Sequence, residues 1–296
     1  MAGPELRWNA DALRQQLAAR WPGLQVEIVT QTGSTNSDLL ERVRSATAVA
    51  TASAGDVHVR RSIESTAYAA FTPVLRVAEV QTDGHGRHGR QWRSERGASL
   101  TFSLALPIAA ADWSGLPLAI GVAIADALDP SGNRIALKWP NDLWLLDAPG
   151  RGRKLGGILI ETVTTRAQRV AVIGVGLNVG PLTADPSFAS GLASLRELVP
   201  DSSAPAALAR IAPPLADAVR RFETAGFAPF QQRYAARDLL AGHSVHTTQR
   251  DLPEGVAAGI SARGELVVRA PDGRVHAVSS GEVSVRLDRA HGAAPC

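Results

Sequence analysis

The sequence has a single cysteine, Cys296, and it is the last residue. No intrachain disulfide can form, nothing in the chain calls for an oxidising compartment, and the cytoplasm is the expected location. Long apolar runs are missing as well. No stretch approaches the roughly 18 apolar residues of a membrane span, and Met1 to Asp11 lack the basic start and apolar core of a secretory signal. The expectation is a soluble chain with no membrane partner. A strong excess of one charge is also absent: 31 lysines and arginines face 28 acidic residues, a net charge of +3. The first 30 residues hold only Arg7, Arg14 and Arg20 as bases. That is too little for a DNA-binding arm or a basic groove-reading stripe.

Several catalytic signatures are missing too. The seven histidines, His58, His85, His88, His243, His246, His276 and His291, show no pairing with cysteine or acidic residues at zinc spacing. There is no Gly-x-x-x-x-Gly-Lys-Ser/Thr phosphate loop and no Gly-x-Ser-x-Gly nucleophile elbow. What remains is an ordinary globular composition, 45% hydrophobic and 20% charged over 296 residues. It suits one large domain with one small one.

The periodicities support a mixed α+β organisation. Leu13, Leu17 and Trp21 after Asn9 predict a capped amphipathic helix that Pro22 and Gly23 end. A strand around Val26 and Ile28 then leads to a helix through Leu39, Leu40 and Val43, with Ser34 or Thr35 as its cap. Residues 45–73, rich in alanine, serine and threonine, read as an inserted surface excursion. Leu75 to Val80 predicts a strand. Leu100, Phe102, Leu104 and Leu106 alternate with Thr101, Ser103 and Ala105, which predicts a strand with one buried face. Leu116 to Leu128 predicts a core helix. Ile135 to Trp139, Leu143 to Leu146, Gly157 to Val163 and Val170 to Val175 predict antiparallel strands. Two further helices are expected at about Ala206 to Ala225 and Pro229 to Leu240. Past residue 241, short strands with turns at Asp251 to Gly255, Arg263 to Gly264 and Pro271 to Gly273 suit a small barrel. The expected division is 1–240 and 241–296, the latter ending in a flexible tail.

The strongest chemical feature is Gln81-Thr82-Asp83-Gly84-His85-Gly86-Arg87-His88-Gly89-Arg90-Gln91-Trp92. Glycines interleaved with bases let amides and guanidinium groups converge on an anion, and Trp92 could stack on a base or cover the site. By composition alone, a solvated hairpin accounts for it equally well. Four other segments are each unremarkable in isolation. Gly33-Ser34-Thr35-Asn36 is a helix cap, and Lys138-Trp139-Pro140-Asn141-Asp142 is a turn between strands. Lys154-Leu155-Gly156-Gly157-Ile158-Leu159-Ile160-Glu161 is a strand with a lysine at its mouth, and Ile173-Gly174-Val175-Gly176-Leu177-Asn178-Val179 is a glycine-interrupted core strand.

Taken together and in this order, the five segments resemble the biotin protein ligase family. There the loop reads Gly-Arg-Gly-Arg-x-Gly-Arg-x-Trp, so His85 stands where that family has arginine. Gly259-Ile260-Ser261 and Gly281-Glu282-Val283-Ser284 resemble the family's small SH3-like domain, and the likeness runs from about Leu24 to Leu287. It implies a class II synthetase-like catalytic core, a mainly antiparallel sheet with flanking helices, plus an SH3-like β-barrel. It also implies a ligase that makes biotinyl-5′-adenylate from biotin and ATP. The biotin is then passed to a lysine of a biotin carboxyl carrier protein.

By the same resemblance Lys154 and Arg87 are catalytic. Ser34, Thr35, Asn36, Gln81, Gly84, His85, Arg87, Lys154, Gly157 and Gly174 bind biotin. Arg87, Arg90, Trp92, Asn141, Asp142 and Asn178 meet the nucleotide, and Asp142 takes part in holding Mg2+, directly or indirectly. Arg151 and Arg153 are alternative cations to Lys154. The glycine-rich loop is expected to act as a lid. Lipoate or octanoyl ligases share this architecture and are the nearest rival. The family's repressors carry a winged helix ahead of the Ser-Thr-Asn turn, and the 33 residues before Ser34 are too few for one, so no DNA partner is expected. Weak pairing of two chains through the strand after Val170 is left open.

Overall fold

The structure, a computed structural model, describes residues 6–52, 71–110, 112–164, 168–182, 191–279 and 285–287. It begins with α1 (Ala10–Ala18), capped by Asn9, whose Oδ1 accepts from the Ala12 amide at 2.9 Å while Leu13 and Leu17 turn inward. β1 (Gln25–Thr32) and α2 (Thr35–Ala52) follow, and Ser34 Oγ accepts from the Ser37 amide at 3.4 Å. Next come β2 (Val74–Gln81), β3 (Ser99–Pro107) and α3 (Leu116–Leu128). Four strands are next: β4 (Ile135–Lys138), β5 (Asp142–Ala148), β6 (Arg151–Thr164) and β7 (Arg169–Asn178). α4 (Ala204–Ala225) and α5 (Gln231–Ala235) lead to β8 (Ser244–Thr247), β9 (Glu254–Ile260), β10 (Leu266–Arg269), β11 (Val275–Val278) and β12 (Val285–Leu287).

The first seven strands form one sheet in the order β1-β2-β3-β7-β6-β5-β4, with only the β1–β2 pair parallel. The last five form an antiparallel, SH3-like sheet in the order β11-β10-β9-β8-β12. The expected mixed, mainly antiparallel fold is present. Among the described residues no helix is long and apolar enough to cross a membrane.

The large sheet is buried on both sides at β3. Leu100, Phe102, Leu104 and Leu106 pack into the main core with α3 and α4, each fully buried side chain contributing roughly 2 kcal/mol. The alternate residues Thr101 and Ser103 were expected in solvent, but they are 2% and 0% exposed. Ala105 joins Leu39, Leu40 and Val43 of α2 in a second cluster. The alternation thus separates an apolar core face from a small polar face that α2 covers; neither faces water.

Two further expectations change. α2 continues to Ala52, through the first eight residues of the presumed excursion; 53–70 lie outside the described residues. The helix expected from Pro229 to Leu240 is only a 3-10 turn at Ala228–Phe230 and α5. The chain leaves the helix there because the Leu137 amide donates to Arg237 O at 2.7 Å and the Leu239 amide to Leu137 O at 2.9 Å, extending the sheet beside β4. β7 lies between β3 and β6, and both its edges are hydrogen-bonded within the sheet.

The small sheet begins just past residue 241 and packs on the large one. Trp139 Nε1 donates to Gly264 O at 3.1 Å, and Gln231 Nε2 to Ile260 O at 2.7 Å. Val245, Ile260, Leu266 and Val268 belong to the same buried cluster as the large sheet. The Gly281 to Ser284 motif and the tail with Cys296 lie outside the described residues.

Candidate active site

Residues opposite one another in an antiparallel ladder share a face. Ser103, Gly174 and Leu159 stand in one row across β3, β7 and β6; Thr101, Gly176, Gly157 and, on β5, Asp142 stand in the next. Two glycines in β7 therefore leave bare backbone on the polar face of the sheet. A Cβ at Gly174 would lie 3.0 Å from Asn36 Cγ, and one at Gly176 would lie 2.5 Å from Trp92 Cζ2. The amide at the start of α2 and the indole of the glycine-rich segment each rest on this floor only because no side chain stands there.

A chain of hydrogen bonds borders the floor. Gln81 Oε1 accepts from the Thr35 amide at 2.7 Å and lies 2.9 Å from Thr35 Oγ1. Thr35 Oγ1 and Ser103 Oγ are 2.7 Å apart, and Ser103 Oγ donates to Asn36 Oδ1 at 2.5 Å. Asn36 Nδ2 donates to Glu161 Oε2 at 2.9 Å, and that oxygen lies 3.7 Å from His85 Nε2. Ser34, Thr35 and Asn36 are all buried.

The glycine-rich segment is a small hairpin. The Gly86 amide donates to Arg90 O at 2.7 Å and the Trp92 amide to Gly84 O at 2.8 Å, while His85 bridges to Gln91. His88 (φ 57°) and Gly89 (φ 69°) make the turn in the left-handed region, which a non-glycine residue such as His88 seldom adopts. Gly84 is buried beneath the hairpin, whereas Arg90 is exposed.

The charges converge on one carboxylate. A register shift between Leu143 and Trp144 skips Leu155 on β6, so that Lys154 pairs with Trp144 and its side chain is re-aimed. Lys154 Nζ then reaches Asp142 Oδ1 at 2.7 Å. Burial pushes the Arg87 guanidinium below its ordinary value; nearby Asp142 opposes that shift, and Arg90 adds to it. Asp142 thus faces both Arg87 and Lys154, and Arg90 stands beside Arg87. Arg153 does not belong with them. It binds Asp147 and Glu197, each with an Nη2 contact of 2.6 Å, and those carboxylates hold its pKa above the ordinary value. Arg151 is exposed at the start of β6. Of the three bases, Lys154 alone pairs with Asp142.

Two predicted nucleotide ligands turn toward the protein. Asn141 Nδ2 donates to Ile158 O at 2.8 Å. Asn178 is buried, and its Nδ2 donates to Ala193 O at 3.1 Å and Lys154 O at 3.3 Å, which fixes the strand that carries Lys154. Two residues of the bordering chain were missed as site residues. Ser103 was read as the exposed phase of an alternating strand. Glu161 closed a recognised motif without a role. A serine directly opposite a site glycine was the available signal, but reading it required the strand register.

Comparison with known proteins accords with this geometry. Residues 62–178 match the biotin/lipoate A/B protein ligase family, and residues 245–286 match the biotin protein ligase C-terminal domain. The chain is 34% identical over 289 residues to a biotin–[acetyl-CoA-carboxylase] ligase of Mycobacterium tuberculosis, covering 92% of this chain and 93% of that protein. It is 34% identical to the bifunctional ligase/repressor BirA of Escherichia coli over 71% of this chain and 65% of BirA. The structure of a biotin protein ligase from Aquifex aeolicus in complex with biotin and ATP superposes with a TM-score of 0.67. That match has 22% identity and covers 89% of this chain and 99% of the other, a likeness of fold.

Proposed function

The chain belongs to the biotin protein ligase family, and from that premise we propose that it activates biotin with ATP to biotinyl-5′-adenylate and pyrophosphate. It then transfers the biotinyl group to a specific lysine of a biotin carboxyl carrier protein, in the cytoplasm. The observation that carries the reading at residue level is the pairing of Lys154 with Asp142 beside Arg87, next to a glycine floor bordered by the Ser34-Thr35-Asn36 turn.

Adenylation brings biotin's carboxylate to the α-phosphate of ATP, so two anions must meet. At an effective dielectric near 20, two unit charges about 4 Å apart interact by about 4 kcal/mol, enough to decide whether the encounter occurs. Lys154 and Arg87 are the catalytic residues in this reading. Lys154 exchanges Asp142 for the reacting anions, and Arg87, already poorly solvated, gains most from an anionic partner. One biotin oxygen bonds to the α-phosphorus as the bond to pyrophosphate breaks. The carrier's lysine amine then forms the amide bond, loses its proton and displaces AMP.

Ser34, Thr35, Asn36, Gln81, Gly84, His85, Gly157 and Gly174 shape the biotin side. Arg90, Trp92 and Asn141 lie on the nucleotide side, where Asn178 acts by holding Lys154's backbone. Trp92 and the hairpin shield the mixed anhydride from water. The donor set suits Mg2+ arriving on the nucleotide: Mg2+ needs only one or two carboxylates besides phosphate and water, and Asp142 would supply one. Bound there, it would add positive charge at the phosphates.

The test is to incubate the protein with biotin, ATP, Mg2+ and a carrier domain, with lipoate in parallel. Biotinyl-adenylate by mass and a biotinylated carrier are expected. Lipoate-dependent, biotin-independent pyrophosphate exchange would overturn the reading.

A further inference from the structure

Resting on the biotin-ligase reading above, we propose that Glu161 is a positioning residue that sets the direction of the hydrogen-bond chain through Asn36, Ser103 and the Thr35 hydroxyl, up to Gln81, and thereby the pocket's affinity for biotin. The chain can run in two directions. In one, the Asn36 amide nitrogen donates to Ser103 Oγ, Ser103 donates to Thr35 Oγ1, and Thr35 donates to Gln81 Oε1. Every hydroxyl proton then points toward Gln81, and the Ser103–Thr35 and Thr35–Gln81 contacts lie at hydrogen-bond distance. In the other, the amide is turned over, Ser103 donates to Asn36 Oδ1 and accepts from Thr35, and Gln81 Oε1 accepts from the Thr35 backbone amide and no longer from its hydroxyl.

The two arrangements occupy almost the same space, so packing does not choose between them. A carboxylate does, because it only accepts. Glu161 Oε2 stands 2.9 Å from Asn36 Nδ2 and requires an N–H there. That places Asn36 Oδ1 on Ser103 and fixes the Ser103 proton, leaving the Ser103 oxygen as an acceptor for Thr35. Ser103 is fully buried and Thr35 and Asn36 nearly so, with no bulk water to scramble the order. The same carboxylate oxygen lies 3.7 Å from His85 Nε2, so it also faces the glycine-rich hairpin. A cyclic urea presents two N–H donors and one carbonyl acceptor, and a pocket matches it only if the pocket's own donors and acceptors hold one pattern.

Glu161→Gln keeps the side chain's shape and removes the rule, since a glutamine amide can face Asn36 with either end. The experiment measures biotin- and ATP-dependence of adenylate formation for the wild-type protein, Glu161→Gln, Ser103→Ala and the double variant, with thermal unfolding of each. Glu161→Gln is expected to raise KM for biotin about tenfold. Its kcat and KM for ATP should stay within about twofold and its unfolding midpoint close to wild type. The double variant should be no worse than the poorer single one, because both substitutions break one chain. A wild-type biotin KM in Glu161→Gln, or fully additive losses in the double variant, overturns the proposal. A loss confined to thermal stability does the same. Absence of biotin-dependent turnover in the wild-type protein overturns instead the reading on which the proposal rests.

Discussion

Lys154→Met should slow biotin-dependent adenylation by about 100- to 1,000-fold while leaving the fold intact. Lys154 Nζ lies 2.7 Å from Asp142 Oδ1, and the two side chains are 22% and 21% exposed, so the ammonium is partly but not fully desolvated. A bare charge pair in such a setting is worth about 4 kcal/mol at 4 Å. Residual water lowers that figure, and loss of one oriented electrostatic partner in a transition state costs about 2.7–4 kcal/mol, which gives the stated range. The assay is single-turnover pyrophosphate release at saturating biotin and ATP. A second variant separates two explanations. If Lys154 only neutralised Asp142, then Asp142→Asn/Lys154→Met would recover to the rate of Asp142→Asn alone, because no unpaired carboxylate would remain. If Lys154 acts on the reacting anions, the double variant stays well below Asp142→Asn. Wild-type release in Lys154→Met, or recovery in the double variant, would refute the assignment.

Two carboxylates outside the site should give the stability profile opposite slopes. Burial acts to raise the Asp129 pKa, but bonds from Ser131, the Ile135 and Arg134 amides and Arg237 outweigh it and bring it from 3.8 to about 2. Because the folded value is depressed, this contributes about 2 kcal/mol that is present above pH 4 and lost as pH falls from about 4 to 2. Acid unfolding of Asp129→Asn should lack that contribution, and a profile parallel to wild type across this window would reject it. Asp238 is the reverse. Burial, only partly offset by the Leu240 and Ala241 amides and by His243, raises it to about 6, and its Oδ2 is buried without a hydrogen-bond partner. Stability is therefore lost as pH rises from about 4 to 6. Asp238→Asn should gain up to about 3 kcal/mol at pH 7 and almost nothing at pH 4, as read by denaturant midpoints; equal effects at both pH values would contradict this.

Much of the architecture could be read from local pattern because local physics decides it. Asn9 caps α1, Leu116–Leu128 is the helix its apolar spacing predicts, and the Gly/Pro/Asp turns separate the strands of the large sheet. Expectations failed where a distant partner decided. α5 stops at Ala235 because the Leu137 backbone takes the next residues, and Ser103 is buried where Thr35 and Asn36 of α2 bond to it. The family motifs named most of the residues that border the floor, but they could not show how Arg153 and Asn178 are engaged. Arg153 is drawn away by Asp147 and Glu197, which lie 6 and 44 residues from it in sequence.

Hydrogen-bond direction is the least local property of all. Asn36, Ser103, Thr35 and Gln81 are each ordinary polar residues, and every one can donate or accept through its side chain. Neither spacing nor composition says which way their protons point. Only a group with a single permitted role can settle it, and Glu161 is 125 residues from Asn36 in sequence. Lys154 follows the same logic from the other side, since an ammonium only donates. Asp142 holds it at the floor, and an incoming anion can draw it away. A fixed acceptor at one side of the site and a fixed donor at the other give the intervening neutral groups a defined polarity. That is why exchanging either charge for a neutral isostere should perturb function far more than it perturbs the fold.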